Sequence, residues 1–412
     1  MVKNGKKLLV LDTAFTYEAI EKRGLISSVT CRDLDGYFEH VWSIHPFASL
    51  VSSREFGAEY GRPSTYLINE KHTVIEGKVG FSSRFKRVSV VNFLLSQIDI
   101  LLFLISLVHK EKISVVRAGD PLYLGIFGYF LSRIMNIPLV VRVGSNNDKL
   151  REATGHCIMP RLFKATKQEK LIEKFVLNHA DLVAGANKDN LQFAIKSGAN
   201  PEKCTLFRYG NLIDPAHFSS PASRPSPESH FSDLKYFLCI ARLESVKKVD
   251  DVIRVLAEVR KLGFDLNALL IGDGSERKSL EKLASQLGVL EHVVFCGNRD
   301  QYWLSTIIPH AQVVLSPHTG RALTEAALGA VPIAAYDVDW QAEVIETGVT
   351  GELVEFGDWM ALSSAAVKLL TDRAYARKMG DNVRSRVLEM MDPVKLNQHE
   401  IDEYDKLIRC AF

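Results

Sequence analysis

Two stretches of the chain bring cations, backbone amides and a carboxylate together at spacings that suit a phosphorylated ligand. In ARLESVKK, Ala241 to Lys248, Arg242 and Lys247 fall in a loop between a short apolar run and a helical pattern. Two cations at a helix start, where the dipole is positive and amides lack intrahelical acceptors, make a site for a diphosphate. The alternative is a pair of solvated surface cations, the ordinary state of an isolated Arg and Lys. In SPHTGRALTEAALGAVP, Ser316 to Pro332, a glycine-containing loop enters a helix that carries Glu325. Amides of Gly320, Arg321 and Ala322 could bind anionic oxygens, and the carboxylate one turn on could accept from paired ribose hydroxyls. Glu325 alone could equally be a surface residue of its helix. Both loops follow runs that look like strands of one sheet, and ligands of α/β sheets sit at the carboxyl ends of strands.

Other candidates for chemistry are weaker. Asp337 and Asp339 form Asp-x-Asp, a spacing known from metal sites, but two carboxylates on one loop are ordinarily just solvated, and no metal or cofactor is expected. His45, His156 and His318 are lone residues, and only His318 lies inside a candidate loop. The six cysteines are scattered without CxxC spacing, which indicates neither a zinc site nor a disulfide framework and fits a reducing compartment. With an N-terminus that lacks a signal-peptide pattern, this suggests the cytoplasm. Lys+Arg 51 against Asp+Glu 49 leaves a net charge of +2, which gives no global attraction to nucleic acid.

The elements that must hold these loops follow from length and pattern. At 412 residues, with 47% hydrophobic and 24% charged residues, the chain suits two folded lobes. In the first half, apolar runs at Leu8–Leu11, Val41–Ile44, Ile113–Val116, Leu139–Val143 and Asp181–Ala184 alternate with helical patterns, as in βαβ units. The proline- and serine-rich stretch 219–232 breaks the periodicity and suggests a linker. Alternation then restarts with strands at 236–240, 266–271, 293–295, 312–315 and 332–335 and helices at 249–262, 275–287 and 321–328. The expected fold class is α/β, with two doubly wound, Rossmann-like parallel-sheet domains facing a cleft. The expected divisions are 1–218, a linker at 219–232, 233–392, and a C-terminal helix at 393–412 that crosses the hinge.

Two segments raise the question of membrane contact. Val88–Val108 is long and apolar enough for a span, but Ser89, Asn92, Ser96, Asp99 and Ser106 draw a polar stripe along it, and Asp99 would be costly in lipid. A mostly buried domain helix is therefore expected. In RLFKATKQEKLIEKF, Arg161, Lys164, Lys167, Lys170 and Lys174 crowd one helix with Leu171, Ile172 and Phe175 opposite, which suits either an anionic leaflet or a solvated face.

Taken together, these residues resemble the retaining GT-B glycosyltransferases of family four (glycosyl transferases group 1). Ala241, Arg242, Leu243 and Lys247 are similar to the family's Gly-Arg-Leu followed by Lys. The stretch ending in Glu325, Ala326 and Pro332 resembles its glycine-rich turn with two glutamates eight positions apart. The segment 271–298 looks like its Gly-x-Gly and base-binding strand end at Gly297 and Asn298, and 209–218 like its Asn-Gly-x-Asp hinge, at Asn211, Asp214 and Phe218. The resemblance implies catalysis of sugar transfer with Arg242 and Lys247 on the diphosphate and Glu325 on the ribose. Gly320, Arg321, Ala322, His318, Thr319, Gly297 and Asn298 would line the donor site. It further implies a nucleotide-sugar donor, by resemblance UDP-linked, a glycan or lipid-linked acceptor, retention without a metal, and a place in cell-surface polysaccharide or glycolipid synthesis. The chain departs from the pattern at Pro317, where the first glutamate is usual, and near Gly144, where a histidine is usual. Ser145, Asn146 and Asp148 are the polar candidates beside that second position. A nucleotide-sugar epimerase or hydrolase and a non-catalytic partner subunit are the alternative functions.

Overall fold

The computed structural model describes residues 5–22, 25–48, 62–78, 89–160 and 162–410; Val88 and Arg161, named above, lie outside the described residues. The chain forms two compact units, Met1–Leu212 with Pro393–Phe412, and Ile213–Asp392.

The first unit is built on an eight-stranded sheet. Its strands are β1 (Lys7–Leu11), β2 (His40–His45), β3 (Ser64–Asn69), β4 (His72–Glu76), β5 (Val115–Ala118), β6 (Leu139–Val143), β7 (Leu182–Gly185) and β8 (Cys204–Leu206), in the order β3-β4-β2-β1-β5-β6-β7-β8. All pairings are parallel except β3 with β4. Successive side chains of a strand point to opposite faces. Leu9 and Leu11 accordingly join a core with the helices Ser89–Glu111, Tyr123–Met135 and Thr166–His179, while Leu8 and Val10 join one with Tyr404 and Ile408. The middle helix lies close because Gly125 and Gly128 have no Cβ: one at Gly125 would stand 2.5 Å from Val176 Cγ1, one at Gly128 3.0 Å from Leu139 Cδ1.

The apolar 89–111 helix is not mostly buried as expected. Ile100, Leu104 and Val108 face the core, but Leu94, Ile98 and Leu102, on the opposite stripe, are more than half exposed. Only 28% of its span-like window is buried, and by length and composition alone it could cross a membrane. Its polar residues do not all mark the water side: Ser106 is exposed, but Ser96 is buried and donates to Phe93 O at 2.7 Å.

The C-terminal helix, Pro393–Cys410, returns to the first unit. Glu400 Oε1 meets Arg117 Nη1 at 3.0 Å, with both side chains almost wholly buried.

The second unit carries six parallel strands, β9 (Tyr236–Ile240), β10 (Asn267–Ile271), β11 (Val293–Gly297), β12 (Val313–Ser316), β13 (Ile333–Tyr336) and β14 (Glu352–Val354), in the order β11-β10-β9-β12-β13-β14. That is the dinucleotide-fold order, which reverses between β9 and β12. The helix Val249–Lys261 buries Val249, Val252, Ile253, Leu256 and Val259 on the sheet, at the helical spacing of the sequence.

The division between units falls at Leu212/Ile213, so 219–232 belongs to the second unit and is a strap on it. Phe231 is buried edge-on against Trp303, with ring centroids 5.6 Å apart, and Trp303 Nε1 donates to Glu228 at 3.0 Å. Arg224 donates to the Leu328 carbonyl at 2.8 Å. A composition that breaks periodicity therefore marks irregular backbone here, not a free tether.

Candidate active site

The loops after β9 and β12 flank the point where the strand order of the second sheet reverses, the place where such sheets bind ligands. The first loop carries Arg242 and Lys247, and two glycines fix its path. A Cβ at Gly272 would stand 2.0 Å from Ala241 O, and one at Gly274 2.3 Å from Leu243 O, so only glycine lets the 241–243 segment pass so near. Leu243 N donates to Asp273 O at 3.0 Å, which seats the segment on these glycines. Arg242 is exposed and Lys247 half-buried. Burial and the neighbouring Arg242 push the Lys247 ammonium below the ordinary lysine value, while Asp339 pulls the other way. The helix dipole adds less here than its position suggests, because Asp250 and Asp251 occupy the first turn of the following helix.

The second loop is stitched down by a residue that the pattern did not mark. Gln341, buried, donates from Nε2 to Tyr336 O at 2.7 Å and Ser316 O at 3.1 Å, and accepts from Ser316 Oγ at 2.6 Å. Thr319 Oγ1 meets the same Ser316 hydroxyl at 2.5 Å. His318 spans from this loop to its neighbours, with Nδ1 3.2 Å from Val246 O and Nε2 2.5 Å from Asp339 Oδ2. Arg242, Lys247, His318 and Asp339 thus form one cluster. Asp339, expected to be solvated, is 37% exposed and also meets the His318 ring and the charge of Lys247.

Glu325 lies on the helix Ala322–Leu328, which follows Gly320 at φ +66. It is 3% exposed, which removes the alternative of a surface residue. Burial pushes its carboxyl up, Arg321, with Nε 3.8 Å away, pulls down, Asp214 pushes up, and the net shift is upward. Gln301 also bonds it, and Gln301 Oε1 meets His217 Nε2 at 2.8 Å. Gly297, at φ +67, ends β11 and accepts from Gly272 N at 2.9 Å; Asn298 beside it is exposed.

In the first unit, Ser145, Asn146 and Asp148 have structural tasks. Asn146 caps the helix Asn147–Thr154 and donates to Asp189, and Ser145 donates to Asn147 at 3.1 Å. Burial pushes the Asp148 carboxyl up, but Lys170 at 2.8 Å and Arg151 at 3.2 Å outweigh it and hold it below the usual range. The first sheet reverses its order between β1 and β5, and the loops after those strands carry Asp12 and Asp120. Burial works against ionised Asp12, yet Arg32 and the Ala14 amide hold its carboxyl low. Burial pushes Asp120 up to about 7, against hydrogen bonds from the amides of Leu122 and Leu124. Single polar residues after apolar runs gave no spacing signal that could have singled them out.

Two doubly wound α/β units with ligand loops at their switch points define the class, the GT-B fold. Anabaena HepE in complex with UDP is similar in fold, with TM-score 0.67, 17% identity, and coverage of 96% of this chain and 98% of that one. Sucrose-phosphate synthase from Thermosynechococcus elongatus is likewise similar, with TM-score 0.73, 16% identity, and coverage of 98% and 100%. Within this fold, residues 224–386 match the family Glycosyl transferases group 1, so the second unit contains a domain of that family. The N-acetyl-alpha-D-glucosaminyl L-malate synthase of Bacillus anthracis is 32% identical over 211 residues, 50% of this chain; the match spans 55% of that relative's length.

Proposed function

We propose that the chain is a glycosyltransferase that moves a hexose or related sugar from a nucleoside diphosphate sugar, UDP-linked, to a glycan or lipid-linked acceptor with retention of configuration. The observation that carries this reading is the convergence of Arg242, Lys247 and the 316–320 loop at the switch point of the second sheet, with buried Glu325 one turn beyond. Breaking a sugar–phosphate bond leaves negative charge on the departing diphosphate. Fixed cations stabilise that charge without reorganising, so they act on the transition state more than on the ground state. Arg242 and Lys247 supply that charge in this reading, and no metal is invoked. Glu325 would accept from the ribose, and Asp12 and Asp120 would hold acceptor hydroxyls in preference to Ser145, Asn146 and Asp148. The names of these proteins support the substrate class, the relative being an N-acetyl-alpha-D-glucosaminyl L-malate synthase and the protein of similar fold having been crystallised with UDP.

The test is a panel of nucleotide sugars assayed for transfer and for slow hydrolysis. Wild-type chain should consume one of them, and Arg242→Ala or Lys247→Ala should lower turnover about a hundredfold with unchanged melting temperature. Near-normal turnover in both variants would remove this site.

A cytoplasmic enzyme with a lipid-linked acceptor needs access to a membrane, and the first unit offers a surface for it. Leu94, Ile98 and Leu102 on one helix, Phe130 and Ile134 on the next, and Leu171 and Phe175 on the third are exposed on helices of one layer. Lys167, Lys170 and Lys174 share the exposed side of the third helix. We assign this face to an anionic bilayer, in which apolar side chains enter the interface and lysines meet head groups. Flotation should carry the protein with vesicles containing anionic lipid, and Ile98→Glu with Leu102→Glu should abolish it; equal flotation with neutral vesicles would refute the lysine contribution.

A further inference from the structure

We propose that the Asp339 carboxylate, oriented by His318, accepts a hydrogen bond from a hydroxyl of the donor sugar and so selects neutral sugars that carry that hydroxyl. This rests on the donor site proposed above and deepens it.

A diphosphate sugar presents two kinds of group to its site. The diphosphate only accepts hydrogen bonds, whereas the sugar hydroxyls also donate and need an acceptor. The loop after β12 provides little of that kind: Pro317 has no polar side chain, and Ser316 and Thr319 bond to each other while Ser316 also donates to Gln341. The loop after β13 supplies a carboxylate at the same place. Asp339 Oδ2 stands 2.5 Å from His318 Nε2, and its charge acts on Lys247. A carboxylate has two oxygens and about four acceptor sites, and the Asp339 side chain is 37% exposed, so it can meet a ligand hydroxyl while holding His318. His318 has Asp339 Oδ2 beside one ring nitrogen and, farther off, the Val246 carbonyl beside the other; both only accept, so the shorter contact, to Asp339, takes the N–H of a neutral ring and makes His318 a positioning residue.

The backbone is shaped for this placement. Asp339 has φ +53, in the left-handed region that Asp and Asn enter more readily than other non-glycine residues. Gln341, two residues on, ties Tyr336 O to Ser316 O and thereby fixes the two loops relative to one another. A carboxylate held this way welcomes a neutral hydroxyl and repels a uronic acid.

Asn tolerates the same left-handed backbone and keeps one acceptor oxygen, so Asp339→Asn isolates the charge. The experiment uses full-length protein, calorimetric binding of UDP, GDP and ADP, and donor kinetics with the sugar nucleotide that the wild type consumes. Asp339→Asn should bind the nucleoside diphosphate as well as wild type or better, while kcat/KM for the sugar nucleotide falls roughly three- to tenfold, the loss expected when the acceptor of a hydrogen bond loses its charge. His318→Phe should show the same split to a smaller degree, and it decides the matter if the asparagine variant does not fold. A loss of affinity for the bare nucleotide in step with kcat/KM would signal a merely structural role and overturn the proposal, as would unchanged donor kinetics. Failure of the wild type itself to bind any nucleotide would instead overturn the donor site, and this assignment with it.

Discussion

At Lys247 three influences meet, and their signs make a pH experiment informative. Burial and Arg242 lower its pKa, and Asp339 raises it. A bound diphosphate favours the ammonium, so nucleotide affinity should be full while Lys247 is charged and should decline as pH rises through the depressed value, below the range of about 10.4 for an ordinary lysine. Each neighbour moves that decline in a known direction. Arg242→Ala removes a like charge and should shift it to higher pH, whereas Asp339→Asn removes the opposing charge and should shift it lower; calorimetric titrations of UDP across pH 7 to 10 would read both. The same depression acts on stability with fixed sign. Between the folded and unfolded values the unfolded chain binds more protons at this residue, so its contribution to stability rises with pH through that window. Lys247→Met should flatten both dependences.

Among the elements, the loops are set by contacts that no periodicity announces. Gln341 is the sharpest case. Gln341→Leu keeps the volume but takes the amide donor from the Ser316 carbonyl and leaves the Tyr336 carbonyl with Val338 N alone, which should cost about 1–3 kcal/mol and lower the melting temperature. Because His318 and Asp339 flank that clamp, donor turnover should fall as well, and denaturant melts beside kinetics would separate the two losses. The strands that flank the site were legible because they are covered on both faces and appear as continuous apolar runs: β6 and β9 lie at Leu139–Val143 and Tyr236–Ile240, as the pattern predicts. β3 and β4 were not legible, since Ser64–Asn69 exposes every second residue and His72 and Thr73 fill buried positions in β4. Arg242, Lys247 and Glu325 stand out in the sequence as candidates because each lies at a short, fixed offset from a strand. Asp339 stands out only as half of an Asp-x-Asp pair, because its contact with His318 comes from the loop after a neighbouring strand. The 89–111 helix shows the same limit, for composition counts apolar residues without telling which stripe faces the sheet.

For the molecule as a whole, the path of the last helix matters more than its composition. The chain leaves the first unit at Leu212, builds the second, and comes back at Pro393 to finish the first. What it brings back is structural: Tyr404, fully buried, and Ile408 cover Leu8, Val10 and Val140. Glu400 stands 3.0 Å from Arg117 and 3.7 Å from Arg142, so its single negative charge lies between two guanidinium groups under the first sheet. Removing one member of a buried ion pair costs about 3–5 kcal/mol because the other charge is left uncompensated. Glu400→Ala should therefore melt the first unit at lower temperature. Ending the chain at Asp392 should unfold that unit outright, since the apolar cover is lost together with the carboxylate. The second unit has its own sheet and core, and its sequence from 213 to 392 is uninterrupted. Calorimetry of the shortened chain should accordingly show one unfolding transition in place of two, with UDP binding retained and transfer to acceptor abolished. If UDP binding disappeared with the last helix, the nucleotide site would depend on the first unit, and its assignment to Arg242, Lys247 and Glu325 alone would be wrong.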